Sequence, residues 1–381
     1  MKLDYFCLSY ERQNFIRRQL AYFHTCSTKI IFADGSLVHL GINCQSSIGQ
    51  LEWQYLHIPG AGTYVERFMA ALDIVDTDYV CLMDDADVML ASGLELAVRE
   101  LDENKDLLFA GGKVGSFSSS DGLVSFGKWG HWTNSFSIEM DDPVKRLIST
   151  IESVRTANLF YTVVRTVEFR NLMGKVLGIK FSYNSASELL LTGLLAVNSK
   201  YKIGEYPFWM RGDEPSVDPR LYHKSGRVDW DRKFPEELMY LKRTLADAFV
   251  NQGILPDIAF SSTEKFLEIH YQQSLATDQV AKYFHHRIRR LISLLKTRLR
   301  KLLGSRSYLL VNPYRFVKSF FNKEVVSSSP LDFWQLHCGK LSDKQRSDLL
   351  DVAHLLKKFP RGIQSNQALF DYLGISYSES N

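Results

Sequence analysis

Over the first 115 residues, short apolar runs alternate with stretches of helical periodicity, and few folds accept that alternation. Asp4–Ser9, Lys29–Ala33, Trp53–Ile58, Tyr79–Met83 and Leu107–Ala110 read as strands, and Arg12–Phe23, Thr63–Val75 and Ser92–Leu101 as helices. Strands joined through helices form right-handed βαβ units, so the pattern predicts a mainly parallel, Rossmann-like α/β sheet with flanking helices. A sheet of this kind binds ligands beyond the carboxyl ends of its strands, where the strand order reverses.

The run Tyr79–Met83 is bounded by Asp78 and Asp84, which suits a buried parallel strand. It delivers Asp84, Asp85 and Asp87 to that carboxyl edge. Three carboxylates within four residues repel one another and are tolerable only when solvated or neutralised by a cation. Mg²⁺ and Mn²⁺ take oxygen ligands and share them with substrate phosphates, so the triplet is either a solvated acidic turn or a divalent-ion site.

Beyond Gly111 the character changes. Gly, Ser and aromatic residues up to Asp142 predict short strands and loops, with Trp129, Trp132 and Phe136 able to stack on a sugar face or simply to pack, and His131 either a structural histidine or a metal ligand. Helices are expected over Asp142–Thr150, Leu159–Leu177 and Ser187–Val197, a strand over Tyr201–Arg211, and a polar loop over Asp213–Arg232. From Pro235 the pattern is almost wholly helical. This divides the chain into an α/β region (1–234), a helical extension (235–330) and a small C-terminal helical segment (331–381).

The net charge of +3 hides an asymmetry. Between Asp278 and Glu324 there is no acidic residue and there are twelve Lys and Arg, which leaves the remainder near −9. Phe284, Ile288, Leu291, Ile292, Leu295, Leu299, Leu302 and Leu303 share one helical face over about 280–304, opposite Arg287, Arg289, Arg290, Lys296, Arg298, Arg300 and Lys301. Such a helix suits peripheral contact with an anionic membrane, or docking on the body of the protein. No aromatic-interleaved pattern accompanies the charge, so nucleic acid is not an expected partner. Five cysteines without a C-x-x-C pair point to a reducing compartment, and no apolar run is long enough to span a bilayer. The expected location is the cytoplasm, at the inner face of the cytoplasmic membrane.

Four segments in order give the chain its family resemblance. Ser9-Tyr10-Glu11-Arg12 closes the first strand, Phe32-Ala33-Asp34-Gly35-Ser36 the second, Gly60–Ala71 leads into the metal strand, and Asp85-Ala86-Asp87 is a D-x-D motif. The chain resembles the GT-A class of nucleotide-sugar glycosyltransferases, particularly the large family-2-like group and a bacterial subgroup spelling the motif D-D-x-D. The resemblance covers residues 3–115 clearly and 116–215 loosely. It implies a GT-A domain followed by a helical C-terminal extension, and transfer of a sugar to a polysaccharide or lipid-linked glycan acceptor, with inversion, in cell-surface glycan synthesis.

The resemblance also implies roles. Asp87 would bind Mn²⁺ or Mg²⁺ directly, Asp85 the metal or donor ribose, and Asp84 would support them. A divalent ion there neutralises the charge growing on the diphosphate leaving group. Asp34 would contact the nucleoside, although an Asx-turn explains it equally. Ser9 and Tyr10 would line the donor, and Arg12 would approach the diphosphate or face solvent. An inverting enzyme needs a base for the acceptor hydroxyl. The family's acidic pair is reduced here to Glu188, which could instead belong to a capping box with Ser185. Asp213 and Glu214 are the next carboxylates, Arg211 is a candidate phosphate partner, and His223 a candidate third metal ligand. Two other readings stay open: a haloacid-dehalogenase-like phosphatase or phosphotransferase, and a non-catalytic nucleotide-sugar-binding protein.

Overall fold

A computed structural model describes residues 3–26, 28–42, 48–59, 64–120, 123–128, 136–154, 161–179, 181, 184–212, 234–273, 327 and 329–375. β1 (Leu3–Ser9) pairs in parallel with β2 (Lys29–Asp34) on one side and β4 (Tyr79–Asp84) on the other, and β2 pairs in parallel with β3 (Glu52–His57). The helices that return the chain between them are α1 (Gln13–Phe23) and α2 (Tyr64–Asp73). A two-residue strand, β5 (Val88–Met89), precedes α3 (Ala91–Glu103). The mainly parallel α/β sheet expected from the sequence is the one observed; with β6 (Leu107–Ser120), β9 (Val163–Arg165) and β10 (Lys200–Gly212) its order is β3-β2-β1-β4-β9-β6-β10-β5.

The second half departs from the expected elements. The strand expected to stop at Ala110 continues as β6 (Leu107–Ser120) and folds back through β7 (Leu123–Lys128). Its glycines suit a tight approach: a Cβ on Gly112 would stand 2.4 Å from the Tyr206 carbonyl oxygen. β8 (Phe136–Ile138) pairs with β10 (Lys200–Gly212), and Phe136 stands edge-on to Tyr201. The helix expected over Leu159–Leu177 begins only at Thr166. Val163–Arg165 is instead β9, an antiparallel strand held between β4 and β6. Two adjacent β-branched valines accept strand geometry readily once partners stand on both sides. Helices α4 (Pro143–Val154), α5 (Thr166–Val176) and α6 (Asn184–Asn198) follow the expected periodicity.

Side chains of β1 alternate between two cores, as strand geometry requires. Leu3, Tyr5 and Cys7 face α1 and α3, while Phe6 faces α2 and the helices α4 to α6. α7 (Pro235–Asn251) and α8 (256–273) join the second core through Leu241, Leu245, Phe249 and Phe266. α9 (Pro330–Cys338), α10 (Asp343–Lys358) and α11 (Asn366–Leu373) join the first through Trp334, Leu349, Leu356 and Phe370. Burying each such side chain contributes about 1.5–3 kcal/mol, so the last helices are part of the layer that covers the sheet. Asp348 of α10 accepts hydrogen bonds from Tyr22 Oη and from the Ser92 amide and hydroxyl, tying α1 to α3. Among the described residues no helix is long and apolar enough to cross a membrane.

Candidate active site

β4 ends as expected, with its acidic residues at the carboxyl edge of the sheet, but the three carboxylates are not equivalent. Asp84 is the outward one, its side chain 41% exposed, and it turns the chain by accepting from the Ala86 amide. Asp85 and Asp87 are buried, at 2% and 3% exposure. Their loop is gripped from behind by α1. Arg18 Nη2 donates to the Ala86 carbonyl at 2.6 Å, and Gln19 Nε2 donates to the carbonyls of Asp85 and Asp87. Arg18 is fully buried between the rings of Phe15 and Phe117, so this grip is rigid.

Each buried carboxylate has its own partners. Asp85 Oδ2 accepts from Ser9 Oγ at 2.9 Å, and its Oδ1 lies 3.3 Å from Arg12 Nη1 without a hydrogen bond. Asp87 Oδ2 accepts from Trp209 Nε1 at 2.8 Å, and Oδ1 from the Gly212 amide at 2.9 Å. That second contact needs a glycine, because a Cβ on Gly212 would fall 2.5 Å from the Ala86 carbonyl oxygen. Burial, then the neighbouring Asp84 charge, push Asp87 up to about 7 and raise Asp85 well above the usual carboxylate range.

Both oxygens of Asp87 accept one hydrogen bond each from protein donors and keep a further lone pair, Asp84 is the outward carboxylate, and Asp85 Oδ1 makes no hydrogen bond. Among the described residues no three His, Cys, Asp or Glu side chains form a closed metal cage. One or two carboxylates, with water and substrate phosphate completing the shell, is the donor set that Mg²⁺ takes, and the residues present fit a divalent ion in that limited sense. Ser9 is spent on holding Asp85.

The end of β2 is equally well ordered by side-chain contacts. Asp34 is fully buried and accepts four hydrogen bonds. They come from the Ser36 amide and hydroxyl on Oδ1, and from Gln13 Nε2 and Tyr55 Oη on Oδ2. Asp34 therefore makes the Asx-turn and also ties Gln13 and Tyr55 to the end of β2. Beside it, Tyr55 stacks on His57, and His39 stands edge-on to both. Tyr10 carries the Arg67 guanidinium over its ring. The strain at this corner is local: Glu11 adopts φ +55°, unusual for a residue with a Cβ.

At the end of β10 distant segments meet. Arg211 at the end of β10 lies over the Trp209 ring, and Trp209 packs on Tyr161 at 4.6 Å between centroids. Burial opposes the charge on Arg211, but the carboxylates of Asp87, Asp84 and Glu188, with Tyr161, outweigh it and raise its pKa. Burial and the same Asp84 and Glu188 charges hold the Tyr161 phenol protonated. Glu188 thus shares a field with Arg211 and the acidic loop. The helix carrying it starts at Asn184, so Glu188 lies past the first turn and Ser185 is not its N-cap. Tyr161, Gln13 and Tyr55 carry no motif and were invisible in the sequence. Asp213, Glu214, His223, Trp129, His131, Trp132 and the basic stretch 280–304 lie outside the described residues.

No protein-family model matches the chain, and no curated protein is similar to it. Among solved structures the chain is similar to Staphylococcus aureus TarS, at 14% identity and TM-score 0.47, over 71% of this chain and 44% of that one. It is similar to TarS 1–349 in complex with UDP-GlcNAc, at 15% identity and TM-score 0.48, over 71% of this chain and 73% of that one. The complex of TarS 1–349 with UDP gives 15% identity and TM-score 0.46, over 71% and 72%. Likenesses at this level concern the path of the chain and not its chemistry.

Proposed function

We propose that this chain is a GT-A glycosyltransferase that moves a sugar from a nucleotide-sugar donor to a hydroxyl of a glycan or lipid-linked glycan. The observation that carries the reading is the carboxylate loop at the carboxyl end of β4, facing the cationic side chains Arg12 and Arg211 with Glu188 in the same field. A diphosphate held between these groups meets positive charge where its own negative charge grows. Asp84 and Asp85, with Asp87 as the resemblance implies, would hold a Mn²⁺ or Mg²⁺, which would supply further neutralisation of that leaving group. The α1 N-terminus adds amide donors, since no side chain caps it.

In the transfer, the acceptor oxygen bonds to the anomeric carbon while the bond from that carbon to the diphosphate breaks. Glu188 takes the acceptor's proton and the nucleoside diphosphate departs. A single displacement of this kind inverts the anomeric carbon, as the resemblance implies. Asp213 is the alternative base and His223 the candidate third ligand. Asp34, with Gln13 and Tyr55, orients the nucleoside. The phosphatase reading is weaker because its motif belongs after the first strand, whereas here the D-x-D follows β4. The Lys- and Arg-rich stretch 280–304, read from the sequence as an amphipathic helix, supports contact with an anionic membrane surface. Flotation with anionic liposomes, compared with a chain lacking 280–323, tests that part; equal flotation of both would sink it.

The activity is tested with UDP-, GDP- and CMP-sugars, with and without Mn²⁺, on wild type and Asp85→Asn. Metal-dependent nucleotide release that disappears in the variant supports the reading. Phosphate release from phosphomonoesters would replace it with the phosphatase reading, and donor binding without turnover with the binding-protein reading.

A further inference from the structure

Arg12 is the most anomalous charged residue of the site. It stands at the N-cap of α1, with only a tenth of its side chain exposed. Its Nη1 lies 3.3 Å from Asp85 Oδ1 and 4.0 Å from Asp84 Oδ1, so one guanidinium serves two carboxylates. Neither side is well satisfied. Arg12 Nε and Nη2 have no hydrogen-bond partner, and neither has Asp85 Oδ1. The guanidinium rests instead on the face of Phe15, 4.7 Å from the ring centroid.

A buried guanidinium with two idle donors is expensive as a purely structural feature, because it forgoes hydrogen bonds that water would supply. Its position is that of a cation between Asp84, the outward carboxylate, and Asp85, whose Oδ1 makes no hydrogen bond. Its idle N–H groups form a fork suited to a phosphate.

We propose that Arg12 is a placeholder cation: it neutralises Asp84 and Asp85 in the metal-free protein, yields that place to a divalent ion, and turns its free N–H groups to the donor's diphosphate. The inference rests on the donor-site reading above and deepens it. Arg12 then couples the two ligands. Metal binding releases the guanidinium that nucleotide needs, and nucleotide draws away the cation that competes with the metal, so each strengthens the other.

The test is calorimetry and Mn²⁺ electron paramagnetic resonance on the metal-stripped full chain, with Mn²⁺ alone as the first probe and UDP and GDP as the second. Arg12→Gln removes a competing charge and should bind Mn²⁺ alone about tenfold more tightly than wild type. The same variant should bind the nucleotide diphosphates in Mn²⁺ at least about tenfold more weakly, through loss of charge-assisted hydrogen bonds. A residue needed only for structure would loosen both. Arg12→Lys keeps the charge, so its affinity for Mn²⁺ alone should stay within about threefold of wild type. If Arg12→Gln fails to fold, the ¹⁵Nε–H signal of Arg12 in wild type, assigned by its loss in Arg12→Lys, decides. It should move on adding Mg²⁺ without nucleotide, and a signal that stays put overturns the proposal. Unchanged or weaker Mn²⁺ binding by a folded Arg12→Gln also overturns it, while leaving the donor site standing if wild type binds both ligands. A folded wild type that binds neither Mn²⁺ nor a nucleotide diphosphate overturns the donor-site reading and this inference together.

Discussion

Replacing Asp87 by Asn should change the pH dependence of stability with a sign that is easy to miss. Asp87 is buried and its pKa is pushed from the ordinary 3.8 up to about 7, by burial and by the Asp84 charge. A carboxyl whose folded pKa is raised holds its proton in the folded state after the unfolded chain has released it. Stability therefore falls as pH rises from about 4 to about 7, and is level above that. A shift of roughly three units corresponds to about 4 kcal/mol, of which about 3 kcal/mol lies between pH 5 and pH 8. Asn carries no charge and escapes this loss. It also has one acceptor oxygen where Asp87 has two, so either Trp209 Nε1 or the Gly212 amide loses its partner, at about 1–3 kcal/mol. The expected result in chelator-treated protein is near parity at pH 5 and an Asp87→Asn chain about 1–3 kcal/mol more stable at pH 8. Urea unfolding at pH 5, 6, 7 and 8 measures this directly. Stability curves of wild type and variant that run parallel across this range would refute the reasoning, because they would show that Asp87 ionises in the folded state as easily as in the unfolded.

Glu188→Gln should lower transfer to acceptor by about 100-fold or more while leaving donor binding near wild type, a split read from kcat with acceptor and from calorimetry with the nucleotide. Gly212→Ala forces a Cβ to within 2.5 Å of the Ala86 carbonyl oxygen. It should cost about 1–3 kcal/mol in denaturant unfolding and reduce kcat/KM, since it moves the carboxylate loop itself. Asp348→Ala strips the acceptor from Tyr22 and Ser92 and should lower stability by about 2–4 kcal/mol, seen as a lowered melting temperature. An unchanged melting temperature would mean that α10 is not what joins α1 to α3.

What the chain determines by itself is the half of the fold written in local periodicity. β1, α1, β2, β3, α2, β4 and α3 were legible because each segment's apolar spacing is set within the segment, and Asp84 to Asp87 could be placed because they follow the strand that carries them. Glu188 and Arg211 were legible as candidates for the same reason, each lying at the start or end of a recognisable element. What only the tertiary structure decided involves partners far apart in sequence. Val163–Arg165 became a strand because β4 and β6 offered unpaired edges on both sides. Asp87 became a loop-shaping residue and Asp84 the outward carboxylate because Trp209 and Gly212 arrive from β10, more than a hundred residues away. Tyr161 entered the site, and α9 to α11 became part of the first core, by the same kind of contact. Periodicity reports which face of a segment is apolar. It carries no information on which donor reaches a given carboxylate, and that pairing is what distinguishes the three aspartates of one loop.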